Sequence, residues 1–341
     1  MDELIRLEHG SGGELSRRLV EEVILPYVRC PASAGLPDAA RLDFTGPIAL
    51  TTDSYVVDPP FFPGGDIGRL AVFGTCNDLA VSGARARALT LALVLEEGLP
   101  IALLRRVLAS VKAAAEEAGV EVVTGDTKVI GRPVAATSAP DREPGLYLNT
   151  AGVGEVVFGP LGPSHVRPGD RLIVSGPLGA HGVAVLAARE HLSAAAGIRS
   201  DCALLWPLAE RLFRLGPAVR FLRDATRGGL AAVTNELCRG AGFGLVLREA
   251  ALPGDPDVAA VLDLLGLDAL DVANEGVLAA VVAADAADAA VAALRGHPTG
   301  ARAAIAGGIT ADGPGRVVLE TRIGGRRLVD VPRGLLLPRI C

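Results

Sequence analysis

A chain of 341 residues with a formal net charge of −6 has the length for about two domains. It has no positive excess with which to coat nucleic acid or an anionic membrane surface. Half of its residues are hydrophobic but only 4% are aromatic, so its cores must be built from Ala, Val and Leu. The acidic start Met1-Asp-Glu-Leu4 has no apolar run behind it, unlike a signal peptide. The Ala-rich stretch Val277 to Leu294 is interrupted by Asp285 and Asp288 and reads as core rather than a membrane span. Five scattered cysteines form neither a disulfide framework nor paired metal-ligand spacing, which implies a reducing, cytoplasmic setting.

In chain order, His9-Gly-Ser-Gly-Gly13 is too small to pack a core. It reads equally as a flexible leader or as backbone N–H groups that cradle an anion. Glu14 to Val28 has helical periodicity, and a Pro/Ala/Gly connector from Cys30 to Gly46 follows. Ile48 to Asp53 predicts a strand ending on an acid, and Ile67 to Ser82 a helix that carries Asn77-Asp78 among apolar residues. Ala88 to Leu95 predicts a buried strand. Pro100 opens an amphipathic helix that Gly119 closes. Glu121 to Thr124 predicts a strand with Gly125-Asp-Thr-Lys128 at its end, Arg132 to Gly145 a loop, and Leu146 to Val157 a strand broken by Gly152 and Gly154. Gly159 to Gly169, with three prolines and no periodicity, marks the domain boundary.

The second half repeats the alternation. Strands are expected at Asp170 to Ser175, Val219 to Leu222 and Val277 to Val282, and helices at Gly182 to Glu190 and Leu230 to Cys238. This predicts an α/β or α+β chain of two domains, 1–158 and 159–330. In the first, residues 1–46 form a mobile leader, a helix and a connector. Residues 331–341 form a separate tail, in which Pro332 and Pro338 oppose a continuous helix. The tail ends on the thiol of Cys341, which is either an incidental cysteine at a frayed terminus or a group carried on a mobile arm.

Two patterns suggest chemistry. Asp53, Asp78, Asp126 and Asp224 each have small or hydroxyl neighbours. Each alone reads as a turn former or cap; together they fit a site where carboxylates hold Mg²⁺ against phosphate oxygens. No P-loop and no dinucleotide fingerprint accompanies them. Of 33 cationic residues only Lys112 and Lys128 are lysine. Lys128, in a Gly/Asp/Thr turn, is the one whose compact ammonium suggests a role that arginine cannot fill.

The motifs His9–Gly13, Thr52-Asp-Ser-Tyr-Val-Val-Asp-Pro59, Phe61-Phe-Pro-Gly-Gly65 and Asn77-Asp78 resemble the HypE family of hydrogenase maturation factors. So do Thr124-Gly-Asp-Thr-Lys128, Asn149-Thr-Ala-Gly152, Arg223-Asp-Ala-Thr-Arg-Gly-Gly229, Asn274-Glu-Gly276 and the terminal Pro338-Arg-Ile-Cys341. That family lies in the PurM-like ATP-binding superfamily with aminoimidazole ribonucleotide synthetase and selenophosphate synthetase. The resemblance implies a PurM-like two-domain fold with a flexible C-terminal tail, a homodimer with ATP near its interface, and ATP and Mg²⁺ as cofactors.

The activity implied is ATP-dependent dehydration of an S-carbamoyl group on Cys341 to a thiocyanate, whose cyano group goes to the iron of [NiFe]-hydrogenase. The implied partners are the carbamoyltransferase HypF and the HypC–HypD scaffold. Residue by residue, Asp53, Asp78 and Asp224 become metal ligands, with Asp126 added. Asn149, Gly152 and Arg227 join the aspartates in the ATP site, with structural ion pairing as the other reading of Arg227. Glu275 becomes the base for the N–H proton, against a turn or cap reading, and Lys128 the cation that steadies developing charge. A selenophosphate-synthetase-like enzyme also fits the aspartates, but its relatives carry a leader thiol or selenol and a nearby lysine that His9–Gly13 lacks. A carrier that only docks its tail would leave the aspartates idle.

Overall fold

The computed structural model describes residues 3–28, 30, 32, 39–131, 143–195 and 197–331. The expected tail beyond Val331, including Cys341, lies outside them, as does most of the loop 132–145.

The first half builds a four-stranded sheet. Helical segments α1 (Glu14–Leu19) and α2 (Leu25–Val28) are joined without a break by a π turn, Val20–Ile24. Strand β1 (Ile48–Tyr55) is followed by the short pair β2 (Phe61–Phe62) and β3 (Gly65–Asp66). Asp66 then caps α3 (Ile67–Val81), its side chain accepting the N–H groups of Gly68 and Arg69. Next come β4 (Ala84–Glu96), α4 (Ile101–Ala118), β5 (Glu121–Ile130) and β6 (Leu146–Val156). Helix α4 ends where Gly119 turns left-handed at φ 67°, as the sequence predicts. The sheet order is β1-β6-β4-β5. Its pairs are antiparallel except β4–β5, which α4 joins as a crossover.

Among the described residues, only one face of this sheet is covered. Helix α3 lies along β1, β6 and β4, where Leu89, Leu91, Leu93 and Leu148 are buried. Registers place Leu50, Thr52 and Ser54 beside Val153, Ala151 and Asn149, and these beside Thr90 and Ala92, on the other face. Nothing among the described residues shields Leu50 there, and it is 75% exposed.

Three local expectations change. β1 continues through Asp53 and β5 through Asp126 and Lys128, so these residues sit inside strands rather than at strand ends. β6 is unbroken at Gly152 and Gly154. A Cβ at Gly152 would lie 2.6 Å from the Thr75 side chain and one at Gly154 2.8 Å from the Arg85 carbonyl oxygen, so these glycines let α3 and β4 approach the strand.

The second half is larger than the periodicity shows. Expected elements appear as β7 (Arg171–Val174), α5 (Ala180–Glu190), β8 (Val219–Asp224), α7 (Gly229–Cys238) and β10 (Leu278–Val282). Helices α6 (Trp206–Phe213), α8 (Pro256–Leu265) and α9 (Ala287–Arg295) are added. So are β9 (Gly244–Arg248), β11 (Ala304–Thr310), β12 (Val317–Glu320) and β13 (Arg326–Leu328). Seven strands run β13-β12-β9-β11-β7-β10-β8, with β12–β9 the parallel pair. The two halves meet at α3, whose Asn77 donates to the Ala203 carbonyl (3.0 Å) and accepts the Leu205 N–H (2.7 Å).

Candidate active site

Four carboxylates from both halves gather where α3 meets the second sheet. Asp53 projects from β1 toward α3, beside Tyr55, whose hydroxyl donates to its Oδ2 at 3.3 Å. Asp78, one turn before the end of α3, accepts from the Thr51 hydroxyl at 2.8 Å. Asp224 is the last residue of β8, paired in register with Leu278, and is buried. Glu275 is buried in the turn before β10.

That turn is tightly held. Asn274 donates its side-chain amide to the carbonyls of Ala225 (2.8 Å) and Val272 (3.1 Å) and accepts the Gly179 N–H (2.7 Å). Gly276 passes so close to Asp201 that a Cβ there would lie 1.9 Å from the Asp201 carbonyl oxygen. The Asp201 side chain accepts the N–H groups of Glu275 (3.3 Å) and Gly276 (3.1 Å).

These groups repel one another. Burial, and then the neighbouring Asp78, push Asp53 up to about 6, against a partial pull downward from the Arg227 guanidinium. Burial and Asp78 push Asp224 up to about 7. Glu275 is raised well above the usual carboxylate range by burial and then by Asp224, Asp201, Asp53 and Asp78. Burial also holds Asp201 at about 6, although backbone N–H groups pull it down. Arg227 is exposed at the edge of this cluster. Oxygen-only donors whose charges are mutually unfavourable suit a hard divalent cation. Among the described residues, no three His, Cys, Asp or Glu side chains already stand at metal-ligating separation.

The remaining sequence-assigned residues lie elsewhere in the chain. Asp126 and Lys128 form an exposed 2.8 Å ion pair on β5, at the opposite edge of the sheet from β1. Registers run from Asp126 through Ala92 and Asn149 to Ser54, so Asp126 is on the uncovered face. Three strand spacings, about 14 Å, separate it from β1. Asp126 is therefore not brought together with Asp53, Asp78 and Asp224 within one chain, nor is Lys128 with Glu275. The Lys128 ammonium holds the Asp126 carboxyl below its usual range.

Beside this pair is a cavity of about 480 Å³, lined by His9, Gly10, Gly12, Ser16 and apolar residues of the N-terminal helix. The leader is folded against β5. His9 is buried, its Nδ1 accepts the Arg6 N–H at 2.9 Å, and a Cβ on Gly10 would meet Val129 at 2.7 Å. Gly12, at φ 83°, faces open space. Asn149 clips β1 by donating to the Asp53 carbonyl (2.8 Å) and the Ser54 hydroxyl (2.9 Å), and Gly152 is packed under Thr75. Asp201 is the group that sequence reasoning missed. It lies 74 residues from the turn it holds, and Ser200-Asp201-Cys202 has no motif spacing to reveal it.

Both halves of this architecture match one class of protein. The family profile "AIR synthase related protein, N-terminal domain" matches residues 37–156, and "AIR synthase related protein, C-terminal domain" matches 167–320. Carbamoyl dehydratase HypE of Rhodobacter capsulatus is 47% identical over 100% of this chain and 99% of its own length. A crystal structure of the hydrogenase maturation protein HypE in complex with ATP superposes with a TM-score of 0.91 at 44% identity, covering 98% of this chain and 99% of that one. HypE in a HypE–HypF complex superposes with a TM-score of 0.78 at 40% identity, covering 92% and 99%. The chain belongs to the HypE family, within the PurM-like superfamily, and its fold is the two-part α/β fold of that family.

Proposed function

We propose that this chain is an ATP-dependent carbamoyl dehydratase that converts an S-carbamoyl group on its own Cys341 into a thiocyanate, the source of a cyanide ligand for the iron of [NiFe]-hydrogenase. The observation that carries this is the cluster of Asp53, Asp78, Asp224 and Glu275, set between the two halves with like charges and little compensation. A carrier that merely docked its tail would have no use for it.

In the reaction, the carbamoyl oxygen attacks the γ-phosphorus of ATP and ADP leaves. One proton is lost from the nitrogen, giving an O-phosphorylated imidate. Cleavage of its C–O bond releases phosphate as the second N–H proton departs, leaving S–C≡N. Glu275, in its carboxylate form, takes an N–H proton, and it sits in the turn that Asn274 and Asp201 hold beside Asp224. Asp53, Asp78 and Asp224 would hold Mg²⁺, which would supply charge neutralisation to the transferring phosphoryl group. Arg227 stands at the rim to meet phosphate. The buried thiols do not compete for the modification: burial pushes Cys76 up to about 12 and Cys238 up to about 11, which keeps them protonated.

Asp126 and Lys128 enter through a homodimer. The bare sheet face carries Ile48, Leu50 and Ile130, all exposed, and it also carries Asp126 and Lys128. Packing two such faces together covers the apolar residues, and where the β5 edge of one copy meets the β1 edge of the other, Lys128 and the cavity beside it come next to the strand that carries Asp53. Lys128 then steadies charge on the carbamoyl or phosphate oxygen, and Asp126, Asn149 and Gly152 line or brace the nucleotide site. HypF, as loader of the carbamoyl group, and a HypC–HypD scaffold, as acceptor of the cyano group, are the proposed partners. The cytoplasm is the proposed compartment, and no described helix is long and apolar enough to cross a membrane.

The test is mass spectrometry of the C-terminal peptide of HypF-loaded protein. Addition of Mg²⁺ and ATP should remove one water from the carbamoylated peptide, and Cys341→Ala should yield no modified peptide while retaining ATP binding. Modification at Cys30, Cys76, Cys202 or Cys238 instead would overturn the assignment. Turnover of a selenium donor would favour the selenophosphate-synthetase-like alternative.

A further inference from the structure

The Glu275 peptide is held on both sides by one strap, Ser200 to Leu205. Its N–H points at the Asp201 carboxylate, 3.4 Å from Oδ1 and 3.3 Å from Oδ2, and its carbonyl accepts the Ala203 N–H at 3.3 Å. Oδ2 of Asp201 also accepts the Gly276 N–H at 3.1 Å. The same strap grips Asn77 through the Ala203 carbonyl and the Leu205 N–H, and Asn77 adjoins Asp78. At its other end, Ser200 donates its N–H to the Pro63 carbonyl at 2.8 Å and sets its hydroxyl 2.8 Å from His181 Nδ1. One short segment thus registers Glu275, from the second half of the chain, against Asp78, from the first.

We infer that Asp201 is a positioning residue for the dehydration: its carboxylate fixes the Glu275 peptide so that the Glu275 side chain meets the carbamoyl N–H, an inference that rests on the reading of Glu275 as the base. A carboxylate is required for the hold because both of its oxygens accept. An amide keeps one acceptor and turns an NH₂ group toward backbone donors. Loss of the hold lets the turn drift, and a displacement of about 1 Å at a reacting group costs on the order of 10²-fold in rate. Asp201 lies outside the proposed metal and phosphate ligands, so ATP binding does not depend on it directly.

The experiment uses full-length protein carbamoylated on Cys341 and follows single-turnover conversion to the thiocyanate at varied ATP. For Asp201→Asn, the limiting rate should fall about 10- to 100-fold while half-saturating ATP stays within about twofold of wild type. Combined with Glu275→Gln, it should cost nothing further, because a residue that acts through Glu275 has nothing left to position. Additive losses, or a parallel loss of ATP affinity, would show a general structural role and overturn the inference. If Asp201→Asn does not fold, the smaller Asp201→Ser is read by the same criteria, and failure of both to fold assigns Asp201 to stability instead. A Glu275→Gln variant that converts carbamoyl at the wild-type rate removes the base itself. That outcome fails the reading of Glu275 and takes the role of Asp201 with it, and it is distinguished by Glu275→Gln alone.

Discussion

The acidic cluster lies beneath helix α3, while the Asp126–Lys128 ion pair lies on the uncovered face of the first sheet. Asp53, Asp78, Asp224 and Glu275 are buried or half-buried, and burial first, then the like charges around them, raise the affinity of Asp53, Asp224 and Glu275 for protons. Asp126 and Lys128 are exposed and neutralise each other. The buried half stores unfavourable electrostatics that only a cation can relieve, whereas the exposed half is already content in water. Removing a charge from the first should therefore help the fold and harm the reaction. Removing one from the second should leave the fold alone.

The largest effect is expected from Asp224→Asn. Deleting one metal-facing charge should reduce Mg²⁺-dependent ATP turnover by about 10²-fold or more, yet the nucleotide-free variant should melt above wild type at pH 8, because a repelling charge has gone. Turnover assays and thermal melts of the same samples check both halves of this statement. A variant that melted lower would mean that Asp224 is compensated in the fold.

Next is Lys128→Ala, which should accept the carbamoyl group normally but dehydrate it about 10²-fold more slowly. Lys128→Arg should not restore the rate, since a planar guanidinium does not replace a compact ammonium. Full activity in the arginine variant would remove the special role of this lysine.

The pH dependence sharpens the same contrast. Asp224 titrates at about 7 in the fold and near 3.8 as an ordinary aspartate, so the folded chain holds a proton that the unfolded chain has lost between those values. Its contribution to stability is full below about pH 4, falls as pH rises, and is gone above pH 7. The stability gap between Asp224→Asn and wild type should consequently widen from pH 5 to pH 8, to at most roughly 4 kcal/mol, and saturating Mg²⁺ should narrow it. Denaturant titrations across that range measure the gap, and a constant gap would refute the mutual repulsion. His181 runs the other way. Burial lowers it to about 3, so its contribution is lost as pH falls below 6.5 and does not affect the comparison of these two proteins. The smallest effect belongs to Asp126→Asn, which breaks an exposed ion pair and should stay within about 1 kcal/mol of wild type in the same titrations.

Much of this was legible in the sequence, unevenly. Helices α3, α4, α5 and α7 appear within a few residues of their expected bounds, because periodicity, Pro100 and Gly119 are local signals. The later strands β9, β11, β12 and β13 were not anticipated. β9, β12 and β13 are five residues or fewer, and β9 begins with glycine while β11 contains two, so their strand character comes from pairing partners far along the chain. Strand β5 was cut short at Gly125 for the opposite reason: Gly-Asp-Thr reads as a turn, while pairing with β4 carries the extended backbone straight through it. The motif residues Asp53, Asp78, Asp224 and Glu275 could be named from sequence, but not the separation of Asp126 from them. Face and strand order decide that, and neither is written in spacing. Gly152 and Gly154 show the same limit, since what looks like a strand breaker is a site of close packing.

The bare sheet face also has a consequence during synthesis. Strand β6 ends at Val156, so the four-stranded sheet can close once that residue has cleared the ribosome, with more than half of the chain still to come. At ordinary elongation speeds the wait is on the order of ten seconds or more. Through that interval the nascent chain displays Leu50 and Ile48 on an edge strand, with backbone groups of β1 open to pairing. Yield in the cell should then be limited less by the stability of the finished fold than by how well that surface is shielded during translation.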